Sequence, residues 1–454
     1  MAGQRTSAIG LNGPIGVQDN RNAIINGDYN IFQRGLSSDV SATGGDGTGR
    51  VFNQFVADRW RLYVQALAGS TSPDIRVSQE QFTPGEPSNS SVASDNYINI
   101  RVGPTGDVSG NSTHGYGNFG GFCGAIGTTV DGGAAAVNSF VALIQDIEDI
   151  NTFHSKSVTL TFQAKSDITD VTVVPVLKQC FAGGTTDHTI VGLTASGFPG
   201  ATLTSDWKRF ETNFKVPSLK GQPAVGTSGD SALQLQIVLH AHSGRVGQGI
   251  TFGLGGPSGK TGNIGFAQVQ LEQGDKPTTF EKVEHSLELQ QCERFFEKSY
   301  DHEFAPGHAA SDVKGSSSKG LVTFLQDVHA TRTISDNVMF KTLKRVSPGF
   351  SAASMDAIGL PVNIPAQIKG VNVFNPVGGN SGGIRSIHGS ASEGGAVVTP
   401  TVTDLLVVRP ENVSQNGFGS LRIGTVAGAE NPDNFFYVGA IHYVADAELS
   451  VTTQ

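Results

Sequence analysis

The feature that most constrains this chain is the period-two alternation of its apolar residues. Val158, Leu160, Phe162 and Ala164 alternate with Thr159, Thr161, Gln163 and Lys165, the pattern of a strand with one face against a core. Val171 and Val173 open a second strand that runs on through Val176 and Leu177, after a turn over 166–170. Leu233, Leu235, Ile237 and Leu239 alternate with Gln234, Gln236 and Val238, and Ala267, Val269 and Leu271 with Gln268, Gln270 and Glu272. Strand follows strand with little helix between, which predicts antiparallel sheets. Composition agrees: 59 Gly and 19 Pro in 454 residues supply the turns, and a charged fraction of 16% is too low for a coiled coil, a helical bundle or a solvated disordered chain. No apolar run approaches bilayer length, so no membrane insertion is predicted.

Two segments read as helix. Phe140, Leu143, Ile144 and Ile147 fall at i, i+3, i+4 and i+7, one apolar stripe. Asn138 or Ser139 caps it, and Asp146, Glu148 and Asp149 lie on its solvated side or end. The second is 286–299, with Ser286 as cap and Leu289, Cys292 and Phe296 on one face. Between the elements lie long glycine-rich loops at 41–50, 83–91 and 103–121, places where recognition is commonly carried. After Tyr300 and another Gly/Ser/His stretch, strands return within 310–450.

Several function classes find little support. With 31 basic and 40 acidic residues the net charge is −9, which gives no nucleic-acid footprint. Cys123, Cys180 and Cys292 are sparse and odd in number, neither a disulfide framework nor a zinc set, and read as buried small hydrophobes. The N-terminus has no apolar core of signal-peptide length, which predicts synthesis in a cytoplasm. The run 253–262 ends in Gly259-Lys260-Thr261 but has Leu254 where a phosphate loop needs its first Gly, and a strand follows. His302 and His308 are too far apart for a zincin helix, and His240 and His242 share a strand face with no third ligand in view. No nucleophile elbow is present, so the chain is read as non-enzymatic.

The segment NAIINGDYNIFQRG (22–35) followed by ADRW (57–60) resembles the opening of a family of bacteriophage tail-fibre and related virion fibre proteins. Further stretches match that family in order: VTLTFQAKS (158–166), DWKRFETNFKVP (206–217), the highly specific FAQVQLEQGDKPTTFEKVEHSLELQQCERFFEKS (266–299), VMFKTLKRVSPGF (338–350) and ADAEL (445–449). The resemblance spans about 22–450 of the chain. Departures are few. Phe32 stands where the family has Trp, Gln163 likewise, Phe295-Phe296 for Tyr-Tyr and Lys344-Arg345 for Met-Arg. Alternation puts Gln163 on the polar side, where a lost aromatic would alter a ligand platform.

The residues of these motifs read as largely structural. Asn26-Gly27-Asp28 is a turn in which Gly27 tolerates positive φ. Trp60 and Trp207, the only tryptophans, are each flanked by charges and read as core anchors at strand starts, with an exposed sugar platform as the other reading. Asp58 pairs with Arg61 or Arg59 at a sheet edge. Glu272, Phe280 and Cys292 complete the structural signature.

The resemblance implies a jelly-roll β-sandwich similar to carbohydrate-binding modules over 22–284, a connecting helix at 285–300 that packs its apolar face and the Phe295-Phe296 pair into a seam, and a second β-sandwich over 301–454. It also implies a homotrimer in a virion. Residues 1–21, with Ile9, Leu11, Ile15 and Val17 as their larger apolar groups, cannot form a core and read either as a frayed tail or as an arm that docks on other virion proteins. The expected function is attachment to a host-surface polysaccharide, with His114, Tyr116 and Phe119 in the loop 114–122 as the glycan contacts. A purely structural head fibre or adaptor and a depolymerase are the alternatives. No cofactor is expected; jelly rolls of this kind often hold calcium, but no Asp-rich loop names ligands for it.

Overall fold

The computed structural model describes residues 21–40, 51–65, 75–90, 92–102, 140–169, 171–181, 188–191, 201–221, 231–241, 262–299, 302, 322–327, 332–334, 338–345, 370–374, 406–425 and 436–448. The arm residues Ile9, Leu11, Ile15 and Val17, the loop residues His114, Tyr116 and Phe119, and also Cys123, His242 and His308, lie outside them.

The chain is all-β. One antiparallel sheet of six strands runs in the order β1 (Ser37–Val40), β4 (Ile75–Gln81), β5 (Asn96–Val102), β13 (Gly262–Gln273), β7 (Ser157–Ser166), β11 (Lys208–Lys215). The other runs β10 (Ala201–Thr202), β8 (Thr172–Cys180), β12 (Ala232–Ala241), β6 (Phe140–Glu148), β3 (Trp60–Gln65), β2 (Val51–Ala57), with β9 (His188–Val191) also on β8. From β5 onward the chain crosses repeatedly between sheets, and β13 inserts between β5 and β7 as β12 inserts between β6 and β8. That interleaving is a jelly-roll sandwich. The alternating residues of β7 and β12 meet Val77, Ile98, Ile100, Leu143 and Phe266 in one core between the sheets.

The expected helix at 140–147 is strand β6, paired with β12 and β3. Val141 and Leu143 face the main core, while Ala142 and Ile144 join a second apolar cluster with Tyr63, Val174, Val176 and Val238. A strand buried on both faces loses its alternation and imitates a short helix. Asp146 is therefore not solvated; it is 2% exposed and bound by Arg61 at 3.0 Å.

The second expected helix is shorter. Helix α1 (His285–Glu293) is capped by Glu284 rather than Ser286, the Glu284 carboxylate accepting from the backbone N–H groups of Ser286 and Leu287. It is the one helix among the described residues. The chain then enters β14 (Phe296–Lys298), which with β15 (Val322–Asp327) and β18 (Gly370–Phe374) pairs on β21 (Phe436–Asp446). A second four-stranded sheet joins β16 (Arg332–Ile334), β17 (Val338–Met339) and β19 (Leu406–Val413) to β20 (Gly417–Thr425).

A buried polar cluster ties the early motifs to the end of the chain. Asp58, fully buried, accepts the backbone N–H of Gln33 at 2.6 Å and its side-chain amide at 2.7 Å. It does not bond Arg59 or Arg61 in the way the sequence suggested. Arg59 pairs with Glu448 and lies 3.6 Å from the Phe295 ring centroid. Arg34 reaches Asp446 at 3.2 Å and lies 3.7 Å from the Phe296 ring centroid. The backbone N–H of Ala447 donates to the Phe295 carbonyl at 2.7 Å. Trp60, fully buried, donates its indole N–H to the Asn26 carbonyl at 2.9 Å.

The turn at 26–28 works differently from expectation. Asn26 holds the positive φ, 57°, and its side chain binds the backbone of Ile31 and Asp58. Gly27 is required by contact instead: a Cβ there would lie 2.2 Å from the Val269 carbonyl oxygen. We expect Gly27→Ala to destabilise the fold by about 3 kcal/mol, since the carbonyl it meets is sheet backbone that cannot step aside. Urea unfolding with an unchanged midpoint would contradict this.

Beside that turn two carboxyl groups are buried together. Asp28 accepts from the Ser94 hydroxyl at 2.6 Å, and burial pushes its pKa up to about 6. Glu288 of α1, 4% exposed, is pushed up to about 7 by burial and then by Asp28, and its Oε2 has no hydrogen-bond partner. Asp58 is raised to about 6 by burial. Raised acids bind protons in the fold that the unfolded chain has released, so their stabilisation is full below about pH 4 and is lost as pH rises through 6 to 7. Glu288→Gln removes the cost of ionising this site, roughly 3 kcal/mol for this shift. The variant is expected to match the wild type near pH 5 and to melt higher at pH 8. Parallel melting curves across that range would refute the assignment.

Candidate functional site

The outer face of the six-stranded sheet carries an aromatic cluster that the loop-based reading did not anticipate. In β5, Ile98, Ile100 and Val102 point into the core, so Tyr97, Asn99 and Arg101 point outward. In β7 the same alternation turns Lys165 outward. Phe82 follows β4 directly and Trp207 precedes β11 directly. Register places Glu80 opposite Tyr97, Asn99 opposite Gly265, and Gly265 opposite Lys165.

Phe82, Tyr97 and Trp207 are all half-buried. Their ring centroids lie 4.9 Å apart for Phe82–Tyr97, 4.9 Å for Phe82–Trp207 and 5.1 Å for Tyr97–Trp207, the last pair edge to face. These are favourable aromatic geometries. Gly265 forms the floor. A Cβ there would meet Trp207 Cη2 at 2.9 Å and Tyr97 Cδ2 at 3.4 Å, so the missing side chain is what lets the indole settle onto the sheet. Asn89 donates to the Trp207 carbonyl at 2.6 Å and ties the 83–90 loop to the cluster. Trp207 Nε1 has no hydrogen-bond partner.

The polar groups around the rings are unevenly distributed. The Lys165 ammonium lies 5.0 Å from the Trp207 ring centroid and 5.3 Å from that of Tyr97. At the other end, burial first and then Glu80 and Glu86 raise the Tyr97 phenol above its ordinary pKa, so it stays a hydrogen-bond donor. Glu80 accepts from the Ser78 hydroxyl at 2.7 Å. Asn99 and Asn263 bond each other at 3.1 Å beside the floor, and Asp167 is held by the side-chain amide of Asn263 at 2.8 Å. A partly exposed aromatic surface ringed by amides, a phenol and an ammonium can stack on the C–H face of a sugar ring and bond its hydroxyls.

The two tryptophans therefore part company. Trp60 is a core anchor; Trp207 lies outside the core, on the solvent side of the sheet. Gln163 is on that same outer side but is 1% exposed, covered rather than solvated. Glu272 is buried and pins the following turn, accepting from the backbone N–H of Thr278 at 2.8 Å and its hydroxyl at 2.7 Å. Phe280 is half-buried. Cys180 and Cys292 are buried, and burial followed by neighbouring carboxylates holds the Cys292 thiol well above its ordinary pKa. Neither Phe82 nor Tyr97 was legible as a site residue, because each is an ordinary aromatic in sequence and only register gathers them. Among the described residues no three His, Cys, Asp or Glu side chains gather to hold a metal, and no helix is long and apolar enough to cross a membrane.

No protein family matches this chain, and no curated protein matches it. Similar solved structures include the enzymatically active domain of tailspike protein 4 from bacteriophage CBA120, at 10% identity and TM-score 0.26, covering 56% of this chain and 22% of that one. The likeness thus spans about a fifth of that tailspike domain. They also include the family 11 carbohydrate-binding module from Clostridium thermocellum in complex with a mixed-linked tetrasaccharide, at 12% identity and TM-score 0.24, covering 51% of this chain and all of that one. A third is TmCBM61 in complex with β-1,4-galactotriose, at 12% identity and TM-score 0.23, covering 56% of this chain and 99% of that one. Likenesses this distant carry no argument about the site. What stands is an all-β jelly-roll sandwich with a second β region after it.

Proposed function

We propose that this chain is a non-enzymatic glycan-binding subunit of a phage virion fibre or spike, and that the face formed by Phe82, Tyr97 and Trp207 is where it holds a host-surface polysaccharide. The observation that carries the binding part is the half-buried aromatic cluster lying over Gly265, three partly exposed rings within about van der Waals reach of one another. Aromatic rings on a rigid sheet offer contact area at low entropic cost. The virion part rests on the ordered motif resemblance from NAIINGDYNIFQRG to ADAEL. In this reading the arm at 1–21 docks on other virion proteins, the chain works as a homotrimer, and the assembled protein resides in the virion after synthesis in the bacterial cytoplasm.

The test is binding of purified protein to host cells before and after their surface polysaccharide is stripped. Wild type is expected to bind only unstripped cells. Trp207→Ala is expected to lose about 2 kcal/mol, roughly a thirty-fold rise in Kd, as for a central aromatic of an interface. A melting scan of the variant separates loss of the site from loss of the fold. Undiminished binding by a folded Trp207→Ala protein would remove the platform. Failure of the wild type to bind any cell would favour a purely structural virion component.

A further inference from the structure

The charge on this face says what kind of glycan it takes. Lys165 is half-exposed at the end of β7, and its only contacts of note are with two rings, 5.0 Å to Trp207 and 5.3 Å to Tyr97. Arg59 is committed to Glu448, Arg61 to Asp146, Lys344 to Glu297 and Lys282 to Asp95, while the exposed Lys156, Lys208, Lys215, Lys220 and Lys276 are, like Lys165, outside any ion pair among the described residues. Among the described residues Lys165 has no carboxylate within ion-pair distance, in a protein whose net charge is −9.

Acids border both ends of the cluster: exposed Asp167 lies two residues beyond Lys165, and exposed Asp206 precedes Trp207. Asp167 accepts from the Asn263 side chain, and Glu80 from the Ser78 hydroxyl. Glu80 and Glu86 act on the Tyr97 phenol, at the other end of the cluster. The platform is thus polar along its length. The ammonium lies at its Lys165–Trp207 end, and Glu80 and Glu86 act on its Tyr97 end.

We propose that the platform binds an anionic polysaccharide, with one sugar ring stacked on Trp207, which Tyr97 meets edge to face, and that sugar's carboxylate or sulfate seated on the Lys165 ammonium. This rests on the glycan-binding reading and adds the charge class of the ligand. A neutral sugar would leave the ammonium with water and the rings. An acidic sugar gives it a charge-assisted hydrogen bond beside an aromatic surface, where such a bond is strong. The contact is solvent-exposed and is weakened by salt.

The experiment measures affinity of the full chain for polygalacturonate, hyaluronate and dextran sulfate, and for two neutral polymers, carboxyl-reduced polygalacturonate and dextran. At least one acidic polymer is expected to bind ten-fold or more tighter than the neutral ones, and to weaken as NaCl rises. Preference for a carboxylated polymer assigns the anion as a uronate; preference for dextran sulfate assigns it as a sulfate. Lys165→Met is expected to lower acidic-polymer affinity about ten-fold, several times more than it lowers neutral-polymer affinity, and Lys165→Arg to restore most of it. Binding of neutral polymers as tightly as acidic ones, lost in Trp207→Ala but unaffected in Lys165→Met, would overturn the charge assignment and leave the platform standing. Binding to none of the five would overturn the platform reading itself.

Discussion

Two arginines from the start of the sandwich reach two carboxylates at the end of the chain, and the rest of the structure is arranged around that contact. Arg34 and Arg59 pair with Asp446 and Glu448 across a sequence distance of about four hundred residues, each guanidinium lying over one ring of the Phe295–Phe296 pair. Buried ions without partners are costly. Removing either end therefore leaves charge stranded among apolar rings. The Gln33-Arg34, Asp58-Arg59-Trp60, Phe295-Phe296 and Asp446–Glu448 segments are distant stretches that form one cluster. Through it the jelly roll, helix α1 and strand β21 are fastened to one another.

The same economy of contact shapes the turn at Asn26. Its side chain supplies hydrogen bonds to Ile31 and Asp58 backbone, its carbonyl accepts from Trp60, and its neighbour Gly27 lies against β13. None of these residues faces solvent. Their chemistry is architectural, whereas the aromatic cluster lies on the outward side of the six-stranded sheet. There the small residue again does the positioning. Gly265 lowers Trp207 onto the strands, and the sheet's rigidity holds the rings in register.

Much of this architecture was legible in the sequence where one side of an element meets water. The alternations in β7, β12 and β13 were readable because one set of residues is apolar and the other polar. The reading broke where that contrast disappears. In β6, Val141, Ala142, Leu143 and Ile144 are all buried, so the two-residue period was masked and a helical stripe emerged by coincidence. Ion-pair partners were equally hidden. Asp58 stands next to Arg59 in sequence, yet the φ of 67° at Arg59 turns that side chain toward Glu448. The platform was illegible for a related reason: Phe82, Tyr97, Lys165 and Trp207 come from four separate elements, and only strand register assembles them.

The central claim is that the early arginines and the late carboxylates act as one buried unit, and a double-mutant cycle on Arg59 and Glu448 addresses it directly. Arg59→Met, Glu448→Gln and the double variant are compared with wild type by urea unfolding. The account predicts that each single change costs about 3 kcal/mol and that the double costs far less than their sum, with a coupling of about 2 kcal/mol. Additive losses would show that the two side chains contribute independently, and would contradict the claim that this contact holds the two ends of the chain together.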